Sequence, residues 1–216
     1  MKILVFDTET TGLIPKDTSL YQTNSWPYVV QFSFILFNTI TNKIELEQDY
    51  IIKIPKHVEI SRESTKVHGI TKQKTIKQGF DMKDVLEIFK IALENCDFLV
   101  AHNINFDKKL IMVENIRNKV DMSFNRNGLN IYCTMKNGIN ICNIEKKNEN
   151  DEIYKKYPSL LELHYKLFNT IPGNLHNSLV DVLICMRCFY KIIFNEDLCK
   201  KNKQFKKYIV NFIESS

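Results

Sequence analysis

No apolar run in this 216-residue chain reaches the ~18 residues of a membrane-spanning helix, so no membrane attachment is expected. The first apolar stretch carries one lysine and stops at Asp7. It lacks the long apolar region and small-residue cleavage site of a secretory signal. Cysteine is present without the spacing of a disulfide framework: Cys96, Cys133, Cys142, Cys185, Cys188 and Cys199 fall irregularly. The expectation is an intracellular protein, cytoplasmic or nuclear, and not a secreted one. Glycine and proline are few, at 6 and 5 residues, which sets aside fibrous and low-complexity classes. There is also no internal repeat and no linker-like segment.

What remains is ordinary for a globular protein, with 44% hydrophobic and 25% charged residues. The length allows one large domain or two small ones, with a full buried core. The net charge of +5 suits a polyanionic partner without requiring one. Its basic residues are nearly all lysine. With asparagine and isoleucine also over-used, an AT-rich genome explains that bias better than a selected surface.

Residues 2–7 read as a short buried strand stopped by a Thr-Gly pair. A polar loop over 14–27 leads to strands over 28–39 and 43–54, and the three form an antiparallel meander. Helices are expected over 61–68 and 82–95, a strand over 97–101, and a helix over 105–117 with Phe106, Leu110 and Val113 on one face. Residues 129–134 suit a fifth strand. The charged stretch 143–157 reads as an exposed loop. Helices follow over 158–169 and 178–194, the latter with Leu179, Leu183, Met186, Tyr190 and Ile193 as its buried stripe. A basic amphipathic helix over 203–214 carries Phe205, Ile209 and Phe212 on its apolar face. Meander first, then alternating helices and strands, predicts an α/β fold with helices packed on a mixed sheet.

The chemistry starts at the end of the first strand. Asp7 and Glu9 stand two residues apart, and alternation along a strand points both to one face. At ~4 Å two such charges repel by roughly 4 kcal/mol in a medium of dielectric near 20, so a cation belongs beside them. Asp107 sits where the fourth strand runs into a helix. Asp181 lies in the opening turns of the long helix. Four carboxylates brought together point to divalent metal, and hard oxygen ligands favour Mg²⁺ or Mn²⁺. Two ions can clamp the attacking and leaving oxygens of a phosphodiester. His176, five positions before Asp181, projects from the preceding loop, and an imidazole there suits proton removal from an attacking water.

The sequence resembles the DEDDh branch of the DnaQ-like 3′–5′ exonucleases. The resemblance rests on Asp7-Thr8-Glu9-Thr10-Thr11-Gly12-Leu13, on Val100-Ala101-His102-Asn103 with Phe106, Asp107 and Leu110, and on His176 with Asp181. Val67-His68-Gly69-Ile70-Thr71 and Pro158-Ser159-Leu160 add secondary matches. Together these cover roughly residues 1–190. The resemblance implies a ribonuclease H-like fold and stepwise release of nucleoside 5′-monophosphates from a nucleic acid 3′ end. By position, Asp7, Glu9, Asp107 and Asp181 would hold two Mg²⁺ or Mn²⁺ ions, and His176 would be the general base. Thr8, Thr10 and Leu13 would contact the terminal nucleotide, with Leu13 wedged near the last base. Asn103 and Phe106 would shape the pocket. The chain departs mildly from the family where a small residue usually stands two after the histidine; here it is Ser178.

Other residues have plainer readings. His68 is expected to be structural, His102 to fix a loop by hydrogen bonding, and Trp26 to cap the core. Cys185 and Cys188 lie in mid-helix without a second pair, so packing is preferred to metal binding or redox chemistry. The division expected is an exonuclease domain over 1–195 and a basic helical extension over 196–216. The lysines of that extension suit a solvated face better than a phosphate track. Single-stranded DNA is the favoured substrate, in a proofreading or repair setting that would call for a DNA polymerase partner. Two alternatives stand beside it: an exoribonuclease that trims RNA 3′ ends, and a non-catalytic module that binds nucleic acid or scaffolds a polymerase.

Overall fold

The first strand becomes the centre of the sheet because apolar residues occupy both of its faces. The computed structural model describes residues 1–172 and 176–213, the last three in backbone only. β1 (Lys2–Thr10) pairs antiparallel with β2 (Val29–Asn38), which pairs antiparallel with β3 (Lys43–Ile51). On its other side β1 pairs parallel with β4 (Phe98–Ala101), and β4 with β5 (Asn130–Cys133). The sheet order is β3-β2-β1-β4-β5. Helices cover both faces of this mixed sheet.

Alternation along β1 and β2 sorts the core into two layers. Leu4 and Phe6 face one way with Phe32 and Phe34. They meet Phe89 of α3 (Met82–Glu94), with ring centroids of Phe6 and Phe32 at 5.4 and 4.9 Å from it. Asp81 caps α3, donating nothing and accepting from Lys83 N–H at 2.9 Å. α4 (Ile104–Asn118) lies on the same side through Ile104, Leu110 and Ile111. Ile3, Val5, Ile35 and Phe37 face the other way, onto α7 (Ser178–Phe194).

β1 runs to Thr10, three residues beyond the sequence expectation, because β2 keeps pairing with it: Thr8 with Phe32 and Glu9 with Gln31. Two helices went unforeseen between expected elements, α2 (Lys72–Gln78) and α5 (Thr134–Cys142). The short α1 (Arg62–His68) starts on a Ser61 cap and ends at Gly69, whose φ of 70° favours glycine. The stretch 143–157 is not a plain loop. It forms a hairpin of β6 (Glu145–Lys147) and β7 (Ile153–Lys155), closed by Asn148 Oδ1, which accepts from Asn150 and Glu152 N–H at 2.9 Å each.

α6 (Leu160–Phe168) opens with a reciprocal Ser159–Glu162 capping box. α7 is buried more widely than the expected stripe, because α6 and the terminal helices cover the sides that the sheet does not. Ile193, assigned to that stripe, is 41% exposed near the helix end. α8 (Leu198–Lys201) and α9 (Lys203–Ile213) set Leu198, Phe205 and Ile209 into the same core as Ile3 and Val5. The side chain of Phe212 lies outside the described residues. Trp26 is buried, with its indole N–H donating to Ser19 O at 3.0 Å.

Candidate active site

On the α7 face of β1 the column Ile3, Val5, Asp7, Glu9 turns from apolar to acidic as it leaves the core. Residues i and i+2 share a face, so the two carboxylates follow directly from the two aliphatic side chains. The amino-terminal turn of α7 meets them there. Ser178, fully buried, donates its hydroxyl to Asp7 O at 2.7 Å. Asn177 caps the helix, its Oδ1 accepting from Leu179 and Val180 N–H at 3.1 and 3.4 Å. Asp181 follows one turn later, and its Oδ2 accepts from His176 N–H at 3.3 Å. His176 is exposed and holds a left-handed backbone conformation with φ of 68°.

Asp107 arrives from the opposite layer, in the first turn of α4. Thr8, which points to that layer, donates both its N–H and its hydroxyl to Asp107 Oδ1 at 3.1 and 2.7 Å. The acids therefore converge from both sides of the sheet at the carboxyl ends of the parallel pair β1 and β4. That is where open α/β sheets form crevices.

Burial raises the affinity of all four carboxyls for protons, and the neighbouring acids add to it at Asp7, Glu9 and Asp107. Burial holds Asp7 well above the usual carboxylate range, reinforced by the charges of Asp107, Asp181 and Glu9. Glu9 is pushed up to about 8 by burial, then by Asp181 and Asp107. Asp107 rises to about 7 through burial, although the Thr8 hydrogen bonds favour its charged form. Asp181 rises to about 7 for the same first reason, with His176 N–H opposing.

Such a set accommodates a cation. One ligand atom each from Glu9, His176 and Asp181 lies within 4.8 Å of the others. Asp181 Oδ1 is buried and has no hydrogen-bond partner among the described residues. A carboxylate oxygen left without a partner among the described residues, in a cluster of this kind, fits a divalent ion, and the oxygen-rich donor set fits a hard one.

A cleft of about 500 Å³ opens beside the acids. Thr8, Thr10 and Leu13 line it from β1 and the turn after it; Phe106 of α4 and Val67 and His68 of α1 line it opposite. Leu13 is 89% exposed at its rim. Backbone bonds hold the two walls together, as Ser61 N–H donates to Thr11 O at 2.9 Å. His68 Nδ1 accepts from Ile70 N–H at 3.0 Å, so Nε2 carries the proton that it donates to Thr10 O at 3.1 Å. Burial lowers the His68 pKa and keeps the ring neutral.

Asn103 does not line this cleft; it begins α4 with φ of 69°. His102 ties the second motif down. Its Nε2 donates to Pro158 O at 3.1 Å, its Nδ1 lies 3.0 Å from Thr134 Oγ1, and burial lowers its pKa to about 4. Cys185 and Cys188 are buried in mid-helix with thiols pushed far up by burial. The sequence reading missed Ser61, Glu63 and Ser64 as cleft-lining residues. The signal available was their place just before Val67-His68-Gly69, in a segment already compared with the family.

Residues 4–189 match the family model RNase_T, described as exonuclease, and the chain belongs to that family, in its DEDDh branch. No curated protein matches the sequence significantly. Among solved structures, E. coli exonuclease I in complex with a dT13 oligonucleotide is 17% identical, with a TM-score of 0.65 over 96% of this chain and 45% of that one. An exonuclease I structure described as suggesting how processivity is achieved is 16% identical, with a TM-score of 0.66 over 88% of this chain and 41% of that one. The zinc-bound E. coli exonuclease I complex with single-stranded DNA is 16% identical, with a TM-score of 0.63 over 96% and 42%. The chain thus spans less than half the length of these neighbours. At such identity the likeness establishes the fold, which is ribonuclease H-like.

Proposed function

We propose that this protein is a divalent-metal-dependent 3′–5′ exonuclease acting on single-stranded DNA. The carrying observation is the meeting of Asp7, Glu9, Asp107 and Asp181, with His176 beside them, at the mouth of a cleft about 500 Å³ in volume. Membership in the exonuclease family supports the reaction class. The oligonucleotides bound in the exonuclease I neighbours support DNA as the substrate.

Asp7, Glu9, Asp107 and Asp181 would hold the ions, Mg²⁺ or Mn²⁺. Bound there, the ions supply charge neutralisation and polarisation of the scissile phosphate. The chain's own residues do the rest. Thr8 fixes one Asp107 oxygen, so that carboxylate keeps a single orientation. Phe106, Thr10 and Leu13 receive the terminal nucleotide, with the exposed Leu13 side chain against its base. His176, exposed and five residues from Asp181, takes a proton from the attacking water. The water oxygen forms a bond to phosphorus, the P–O3′ bond breaks, and the departing 3′ oxygen is protonated from solvent. The product is a nucleoside 5′-monophosphate.

The test is to run 5′-labelled DNA and RNA oligomers side by side with purified protein and Mg²⁺ or Mn²⁺. The expected result is a ladder shortening from the 3′ end, faster on DNA. Faster loss of RNA would make the protein a 3′-trimming exoribonuclease. An intact but bound strand would make it a non-catalytic binding module.

A further inference from the structure

The sheet face that carries Asp7 and Glu9 carries a second polar group with no part in the reaction above. Gln31 and Ser33 lie on β2 opposite Glu9 and Asp7, and Asp49 lies on β3 opposite Ser33. Gln31 is 3% exposed and Ser33 fully buried, inside a strand that is otherwise apolar at its centre. Asp49 is exposed at the edge of the sheet. Its Oδ1 accepts from Gln31 Nε2 and from Ser33 Oγ, at 2.7 Å each. The other end of the Gln31 amide, Oε1, accepts from Ser178 N–H at 3.4 Å. Ser178 then donates its hydroxyl to Asp7 O. A continuous chain of hydrogen bonds thus runs from the surface of β3 to the backbone of a metal-site aspartate and the first residue of the helix bearing Asp181.

We propose that Asp49, Gln31 and Ser178 form a positioning relay that sets the separation of Asp7 from Asp181 and thereby the affinity of the site for its ions. Two neighbours fix which way the Gln31 amide faces. Ser178 N–H can only donate, so it requires the oxygen end of that amide. An ionised Asp49 can only accept, so it requires the nitrogen end. The two demands agree, and Asp49 locks the orientation that holds the start of α7. Without an acceptor at position 49, the buried Gln31 NH₂ is left unpaired and the amide keeps only the 3.4 Å bond from Ser178 N–H, too little to hold it in place. The helix start then loses its tie to β2, and Asp181 shifts relative to Asp7. Partners that orient metal ligands without touching the ion are worth roughly 10–100-fold in metal affinity.

The relay rests on the metal reading of the acids, and the experiment separates the two. Asp49→Asn and Asp49→Leu remove the same charge from an exposed position, so both variants should fold. Only Asn keeps an oxygen that can accept from Gln31. Mn²⁺ binding is measured by electron paramagnetic resonance without substrate, alongside kcat and KM on a DNA oligomer. Asp49→Asn is expected to bind Mn²⁺ close to wild type. Asp49→Leu is expected to bind roughly 10-fold more weakly, with lower kcat at limiting Mn²⁺ and unchanged KM for DNA. Ser178→Ala should resemble Asp49→Leu, and Ser178→Thr, which keeps the hydroxyl, should recover part of the loss. Equal Mn²⁺ affinity in Asp49→Asn and Asp49→Leu overturns the relay while leaving the metal site intact. Absence of Mn²⁺ binding in the wild type overturns both.

Discussion

Thr8 gives both of its donors, the backbone N–H and the hydroxyl, to the same oxygen of Asp107, across 99 residues of sequence. Asp107 is 3% exposed, so these bonds are the main support for its charge. Thr8→Val keeps the shape and removes the hydroxyl. The variant should lose about 1 kcal/mol of stability. Because the lost bond favours the charged carboxylate, Asp107 should protonate at higher pH. The acidic limb of the pH–rate profile should move upward, and a profile that superimposes on wild type would refute the assignment.

Metal-free stability should fall as pH rises. In the unfolded chain these acids ionise near pH ~4. In the folded protein Asp107 and Asp181 ionise near about 7 and Glu9 near about 8. Between those limits the folded state binds more protons, so the slope of unfolding free energy with pH is negative. The contribution is complete below pH ~4 and gone above about pH 8. Thermal melts in chelator should drop across this window. Adding Mg²⁺ or Mn²⁺ should raise the melting temperature more at pH 8 than at pH 5.

Removing one acid should act on activity and stability in opposite directions. Asp7→Asn and His176→Ala should each lower the rate of DNA shortening by roughly 10²–10⁴-fold. Asp7→Asn also removes an acid whose ionisation is opposed by burial and by three neighbouring carboxylates. In chelator at pH 8 it should melt higher than wild type, whereas His176→Ala should not. Parallel melts and activity assays check both.

Arg117 should be among the costliest single sites for stability. Its guanidinium donates to Glu114 Oε1 at 2.6 Å and to the carbonyls of Thr23, Trp26 and Pro27, and it lies 3.7 Å from the centre of the Tyr28 ring. Both partners of the ion pair are nearly buried, at 9% and 4% side-chain exposure. Arg117→Ala strands the Glu114 charge and should cost about 3–5 kcal/mol in denaturant unfolding. Arg117→Lys should not restore it, since one ammonium cannot reach the same fan of acceptors.

The legible parts of this chain were those where side-chain chemistry and spacing coincide. Asp7 and Glu9 share a face because strands alternate, and the carboxyl-rich motifs stand on turns where strand gives way to helix. What was not legible depended on neighbours distant in sequence. α5 contains asparagine, glycine and β-branched residues, a poor helix composition. Packing holds it instead: a Cβ on Gly138 would lie 3.0 Å from Pro158 and 3.1 Å from Leu163. The 143–157 hairpin is exposed on both strands, so no apolar alternation betrays it. Gln31 and Ser33 were in plain view as polar breaks in an apolar run. Their meaning required Asp49 and Ser178, which no local pattern connects to them.

The site draws on residues from the two ends of the chain: Ser178 and Asp7, joined by one hydrogen bond, are 171 residues apart. Contacts of such long range are entropically expensive to close and form slowly. Local pieces such as the β1–β2–β3 meander can assemble early, but none of them holds more than two of the acids. Catalytic competence therefore waits for the whole topology. In a refolding experiment, return of nuclease activity should be the last signal to recover, later than the circular dichroism of helices and strands.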